Sequence, residues 1–338
     1  MEKKLARALV GALAVAAAAA VAVPAFAAGQ SHGPRPSDIT CTSPGGKGPG
    51  TSPYGHPLEK SLQKDIARAI GTHKYVAVAL TDPTAGVQCA FRANSEYDSA
   101  SMVKPSILAA LLYAEHGKLT PGQQAEATNM IENSDNTAAT ALWKDLSDLA
   151  NPHQANTESF RAFLTAAGMQ ETTPAPDQLS WGLTRTTASD ELKLLDLLNG
   201  TDNKVLDGAS RAYILDLMRS VRPDERWGST DEVPAAASTA VKNGWLQRSM
   251  TGPDNAFDRG DWKVNSISTV SSPKGGPYQS SLVVLTEDNR VPAGKKPFYG
   301  FKRGVDEIQA VASAVNKDLY PKLADSQRYT PQSVQPST

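Results

Sequence analysis

Ser101-Met102-Val103-Lys104-Pro105 is the stretch from which the rest of the chain can be read. Ser101 and Lys104 lie three apart, so on a helical turn their side chains meet on one face. Pro105 disfavours the α conformation at Lys104 and removes a helix hydrogen bond. The spacing therefore predicts a first turn that is partly 3₁₀, with regular helix after it. A lysine amine beside a serine hydroxyl can take its proton only when neutral. Burial and a nearby positive charge both push the amine toward that state. A helix start adds backbone N–H groups for a developing negative oxygen. Taken alone, Ser-x-x-Lys is a common pattern whose ordinary meaning is a solvated helix face.

Two later motifs change that weighting. Ser134-Asp135-Asn136 supplies a hydroxyl that can relay a proton and a carboxamide that can donate to a carbonyl. All three residues are also good caps for a helix starting at Thr137, and Asp135 reads as a brace for the loop. Lys242-Asn243-Gly244 ends a predicted strand. Its ammonium can pair with an anionic group, and its glycine lets a substrate lie along the strand edge. Asn-Gly is equally a plain strand-to-turn junction. In this order the three motifs are the parts of a serine acyl-transfer site with lysine, not histidine, as base.

The elements around the motifs form one layout. Leu58, Leu62, Ile66 and Ile70 recur every fourth residue, an amphipathic helix. Tyr75–Thr81 and Val87–Arg92 read as strands joined by the turn Asp82-Pro83-Thr84-Ala85-Gly86. A helical middle from Ser101 to Ser220 follows. Strands return at Thr239–Lys242, Trp262–Val270 and Ser281–Thr286, and Val305–Leu319 closes the chain as a helix. Strands at both ends of a chain must meet to bury their faces. The expected fold class is α/β, of the α+β kind. It has one mainly antiparallel five-stranded sheet flanked by the terminal helices, an inserted all-helical lobe, and a cleft between them.

The 338 residues are 40% hydrophobic and 20% charged with a formal net charge of -1, which excludes a nucleic-acid binder driven by basic charge. Residues 1–27 read as a signal peptide. Lys3, Lys4 and Arg7 precede an alanine-rich apolar run, and Ala25-Phe26-Ala27 is a cleavage site. The alternative is an N-terminal anchor; no other segment is long and apolar enough to span a bilayer. Residues 28–56 read as a Gly/Pro/Ser-rich linker, 57–322 as the globular domain and 323–338 as a disordered tail. After export, Cys41 and Cys89 are expected to be bridged, tying the N-terminal extension to the sheet; the alternative is two unpaired thiols. His32, His56, His73, His116 and His153 form no metal spacing. Arg226-Trp227-Gly228 and Trp245 read first as buried aromatic packing.

The motifs resemble those of the class A β-lactamase and penicillin-binding protein superfamily. The likeness runs from Leu58 to Leu319 and takes in Tyr97-Asp98-Ser99-Ala100 before the serine and Thr137-Ala138-Ala139 after the second motif. The resemblance implies that Ser101 is the acylated nucleophile, Lys104 the base or its partner, and Ser134 the proton shuttle. Asn136 would hold the substrate amide and Lys242 its carboxylate, with Asn243 and Gly244 beside it. The backbone N–H groups of Ser101 and Trp245 would form the oxyanion hole. No metal and no organic cofactor is implied, and the substrate is a small molecule or a peptidoglycan peptide.

Three features depart from the family pattern. Asn243 stands where the family has threonine or serine, so a hydroxyl that binds the substrate carboxylate is gone. The first two motifs lie close together. The segment Gly168–Thr187 has no E-x-x-L-N setting for a water-activating glutamate, and Glu171 and Asp177 are its only carboxylates. The expected function is an exported serine hydrolase acting on an amide, β-lactam or ester carbonyl through an acyl-enzyme. The rivals are a cell-wall peptidase that deacylates slowly and an idle domain that keeps the fold for binding.

Overall fold

In the computed structural model, the described residues are 33–43, 57–150, 157–175, 180–247, 260–272, 279–291, 294–296 and 298–321. The signal-peptide and tail assignments, most of the linker, and Asp177 lie outside them.

Helix α1 (Leu58–Ile70) forms where the step-of-four pattern puts it, and Leu58, Leu62, Ile66 and Ile70 are its buried side. Strands β2 (Val76–Asp82) and β3 (Val87–Phe91) pair antiparallel, with Leu80 opposite Cys89. The returning strands are β6 (Ser238–Gln247), β7 (Trp262–Ser271) and β8 (Gln279–Thr286). Helix α8 (Phe298–Leu319) packs beside α1 on one face of the sheet through Phe301, Val305, Ile308 and Val315. All neighbouring pairs are antiparallel.

The sheet has six strands rather than five, in the order β1-β3-β2-β8-β7-β6. The extra strand β1 (Thr40–Thr42) lies inside the stretch expected to be linker. Cys41 sits directly opposite Cys89 in the β1–β3 ladder, and the two are joined in a disulfide. The covalent tie holds three extended residues whose polar neighbours hide them in the sequence. A second, two-stranded sheet was also not foreseen: β4 (Glu96–Asp98) pairs with β5 (Arg185–Thr187).

The other face carries the helical lobe: α2 (Lys104–Ala114), α3 (Pro121–Glu132), α4 (Asn136–Ala150), α5 (Glu158–Ala166), α6 (Ala188–Asn199) and α7 (Gly208–Arg219). Every residue of α2 from Lys104 to Leu112 is buried. A helix apolar all round belongs at the centre of a lobe. The Ser101 turn thus leads directly into a helix enclosed on all sides. Among the described residues no helix is long and apolar enough to cross a membrane.

Candidate active site

Ser101 lies in a 3₁₀ turn, Ala100–Val103, that runs into α2 at Lys104, with Pro105 in the first helical turn. This is the geometry the proline predicts. Ala100 is left-handed, φ 51°. The sheet holds the turn in place: Asn265 of β7 donates to Asp98 O at 2.8 Å and Ser99 O at 3.3 Å, and Ser99 N donates to Thr184 O at 2.9 Å.

β6 is the edge strand on this side, and its Gly244 faces the turn. A Cβ at Gly244 would lie 2.4 Å from Met102 N and 2.8 Å from Ser101 N and Ser99 O. Only glycine permits this approach. The sequence reading assigned the glycine to substrate access. The structure shows that it also lets strand β6 touch the Ser101 turn, and the strand continues through Asn243-Gly244 instead of turning there.

Lys104 and Lys242 are both fully buried, at 0% exposure. Lys104 Nζ donates to Ser134 O at 2.6 Å and Asn136 Oδ1 at 2.9 Å and lies 3.3 Å from Ser134 Oγ. Lys242 Nζ donates to the same Ser134 Oγ at 2.9 Å, and to Asn243 O at 3.1 Å. Ser134 is left-handed, φ 54°, and Asp135 caps α4 through Ala138 N at 2.7 Å, which fixes the loop. Burial, reinforced by the Lys242 charge, lowers the Lys104 amine to about 6. Burial lowers Lys242 to about 8, and Glu225 opposes that change. Near neutral pH, Lys104 is then a free amine and Lys242 still an ammonium, with one hydroxyl between them. With two Lys104 protons on Ser134 O and Asn136 Oδ1, its lone pair is left for a hydroxyl proton. The Asn136 oxygen is held by Lys104, which leaves its NH₂ for a substrate carbonyl.

Asn243, expected beside the substrate, has its amide protons engaged within the protein. Its amide nitrogen donates to Glu225 O at 2.7 Å and Trp227 O at 2.8 Å, so both protons brace the segment after α7. Trp245 turns its ring onto Trp227 and Phe301, at 5.8 and 5.5 Å between centroids, so only its backbone borders the turn. Strand alternation explains both: residues 243 and 245 point to the sheet face opposite that of 242 and 244.

Two residues near the lysines escaped the sequence reading. Trp181 lies in the loop where the family carries its glutamate. Its ring centroid is 4.9 Å from Lys104 Nζ and its Nε1 donates to Thr140 Oγ1 at 3.2 Å. Glu171 of the same loop is exposed, and its backbone N–H bonds Asp190 Oδ2 at 2.9 Å. The second is Glu225, whose charge acts on both Lys104 and Lys242 and whose own acidity burial weakens. Neither has a motif; a tryptophan in a short loop and a glutamate in a Pro-Asp-Glu turn carry no spacing signal.

Comparison with known proteins agrees with this fold. The model of the family described as Beta-lactamase enzyme family matches residues 124–317, beginning after Ser101 and Lys104 and including Ser134, Asn136 and Lys242. The chain belongs to the beta-lactamase enzyme family, and it is a serine hydrolase of β-lactamase-like fold. Similar solved structures include a representative of class A beta-lactamase from Bacteroides cellulosilyticus, at 12% identity and TM-score 0.59, covering 78% of this chain and 99% of that one. A beta lactamase from Xanthomonas campestris pv. campestris matches at 18% identity and TM-score 0.54, covering 78% of this chain and 97% of its own. The TLA-1 extended spectrum beta-lactamase matches at 15% and 0.59, covering 77% and 98%. At these identities the likeness is one of fold. No curated protein matches the chain.

Proposed function

We propose that the protein is an exported serine hydrolase that attacks an amide, lactam or ester carbonyl through Ser101 and releases the resulting acyl-enzyme slowly. The observation that carries this reading is the single Ser134 hydroxyl set between Lys104 at 3.3 Å and Lys242 at 2.9 Å. Neutral Lys104 takes the Ser101 proton as Ser101 Oγ bonds to the carbonyl carbon. The backbone N–H groups of Ser101 and Trp245 receive the oxyanion. As the intermediate collapses, Ser134 gives its proton to the leaving atom and regains one from Lys104. Lys242 keeps the hydroxyl aligned and holds positive charge beside it. The signal peptide at 1–27 and the disulfide fit an extracytoplasmic enzyme, with 57–322 as its hydrolase domain.

The second step is where this chain differs. Hydrolysing an acyl-enzyme needs a water and a base to take its proton. The Lys104 hydrogen-bond partners include no carboxylate, and on the loop side an indole ring stands against its amine. This favours a penicillin-binding type of acylation over rapid antibiotic turnover. The preserved lysine pair disfavours an idle binding domain. Intact-protein mass spectrometry after exposure to benzylpenicillin and to its methyl ester is the test. A persistent adduct that maps to Ser101 and is absent from Ser101→Ala is expected. An adduct that survives in Ser101→Ala at the wild-type rate would remove the nucleophile from the account.

A further inference from the structure

We propose that the subsite beside Lys242 selects an acyl donor carrying no carboxylate there, one whose end is an uncharged ester or carboxamide, with Glu225 as the residue that sets this preference. The inference rests on the acyl-enzyme reading and adds the chemical class of its substrate.

Three observations carry it. Residue 243 offers the subsite no donor, because both Asn243 amide protons are held by Glu225 O and Trp227 O. Glu225 lies next to the subsite, its backbone O accepting from Asn243 at 2.7 Å, and its carboxyl group, whose buried Oε2 has no hydrogen-bond partner, acts on the charge of Lys242 and Lys104. The neighbouring guanidinium groups are engaged elsewhere. Arg226 donates to Arg219 O at 2.7 Å and Thr239 O at 2.8 Å, and Arg222 is bidentate on Asp224 at 2.5 Å.

An incoming carboxylate would therefore meet one ammonium whose field a buried carboxyl group already offsets. Residue 243 adds no hydroxyl, and the Arg222 and Arg226 guanidinium groups are bonded elsewhere. A carboxylate loses strong hydration on entering such a site and needs charge and donors in return. An ester or carboxamide has little hydration to lose and asks only for the Lys242 N–H and a backbone group.

The test compares donors that differ only in that charge: benzylpenicillin against its methyl ester, and an acyl depsipeptide with a free C-terminal carboxylate against its carboxamide. Single-turnover acylation of Ser101 is followed by intact mass. In the wild-type protein the uncharged member of each pair should acylate at least as fast as its carboxylate partner. In Glu225→Gln, loss of one negative charge should raise the carboxylate-to-uncharged rate ratio about tenfold. A wild-type preference for the carboxylate by tenfold or more overturns the inference, and needs no variant to be folded. So does a Glu225→Gln protein, of native circular dichroism, whose ratio is unchanged. Failure of all four donors to label Ser101 would overturn the acyl-enzyme reading and this inference with it.

Discussion

Lys104 Nζ stands 4.9 Å from the centroid of the Trp181 ring, so the amine proposed as the base packs against an indole where its relatives in the resemblance present a glutamate. The ring keeps water from the amine, and desolvation is the first cause of its lowered basicity. Acylation needs Lys104 neutral and Lys242 charged. Its rate should therefore rise with pH through about 6 and fall through about 8. Trp181→Ala readmits water and should move the acid limb upward while leaving the alkaline limb near 8. Single-turnover acylation against pH reads both limbs. A single limb near 10, as for a free lysine, would contradict the assignment of Lys104 as base.

The same enclosure has a cost in stability. The folded-state Lys104 value of about 6 lies below its unfolded value near 10.5, so the unfolded chain binds more protons between them. The destabilisation is complete below pH 6 and fades as pH rises toward 10.5. Lys104→Met should stop acylation yet stabilise the fold by at least about 1 kcal/mol at pH 7. The gain should shrink by pH 10. Denaturant midpoints at the two pH values decide it; a variant less stable at both would show that the Lys104 hydrogen bonds outweigh its desolvation.

Gly244→Ala sets a methyl group against Met102 N and Ser101 N, where a Cβ has 2.4 and 2.8 Å. Strand and turn must part, and a shift of about 1 Å in a catalytic constellation costs on the order of a hundredfold in rate. The acylation rate should fall by that amount with the cooperative unfolding transition retained. An unimpaired rate would mean that the strand edge does not position the turn.

How far the sequence could be read follows from such contacts. α1 is legible because a period of four decides which side is buried, and the central strands because each is a short continuous apolar run; β2 is buried at every residue. The site lysines were legible as motifs, but not what engages them. Asn243-Gly244 looked like a turn because its local meaning is a turn; the strand continues there because the Ser101 turn needs a residue without a side chain. The start of α8 was missed for a similar reason. Gly300 and Gly304 break the helical pattern, yet a Cβ at either would come within 3 Å of Trp262 or Val264. β1 was hidden because three strand residues beside a disulfide have no period at all.

The disulfide should matter to folding and not to chemistry. β1 and β6 are opposite edges of the six-stranded sheet, roughly 24 Å apart at the usual strand spacing. On the chain-entropy model, closing a loop across a separation of 48 residues is worth about 4 kcal/mol. Replacing Cys41 and Cys89 by alanine should lower stability by an amount of that order and leave the acylation rate of the folded fraction within about twofold. Thiol titration of unfolded, non-reduced wild-type protein should find no free thiol.

Ser101 is expected to be acylated readily and deacylated slowly, for want of a base beside the indole-covered lysine. Stopped-flow with a p-nitrophenyl ester measures both steps in one trace. A burst of p-nitrophenolate equal to the enzyme concentration is expected, followed by a steady rate far below the burst rate and little changed by Glu171→Gln. Fast turnover without a burst, stalled at the acyl-enzyme by Glu171→Gln, would show that the loop holds a deacylating base and would contradict the account.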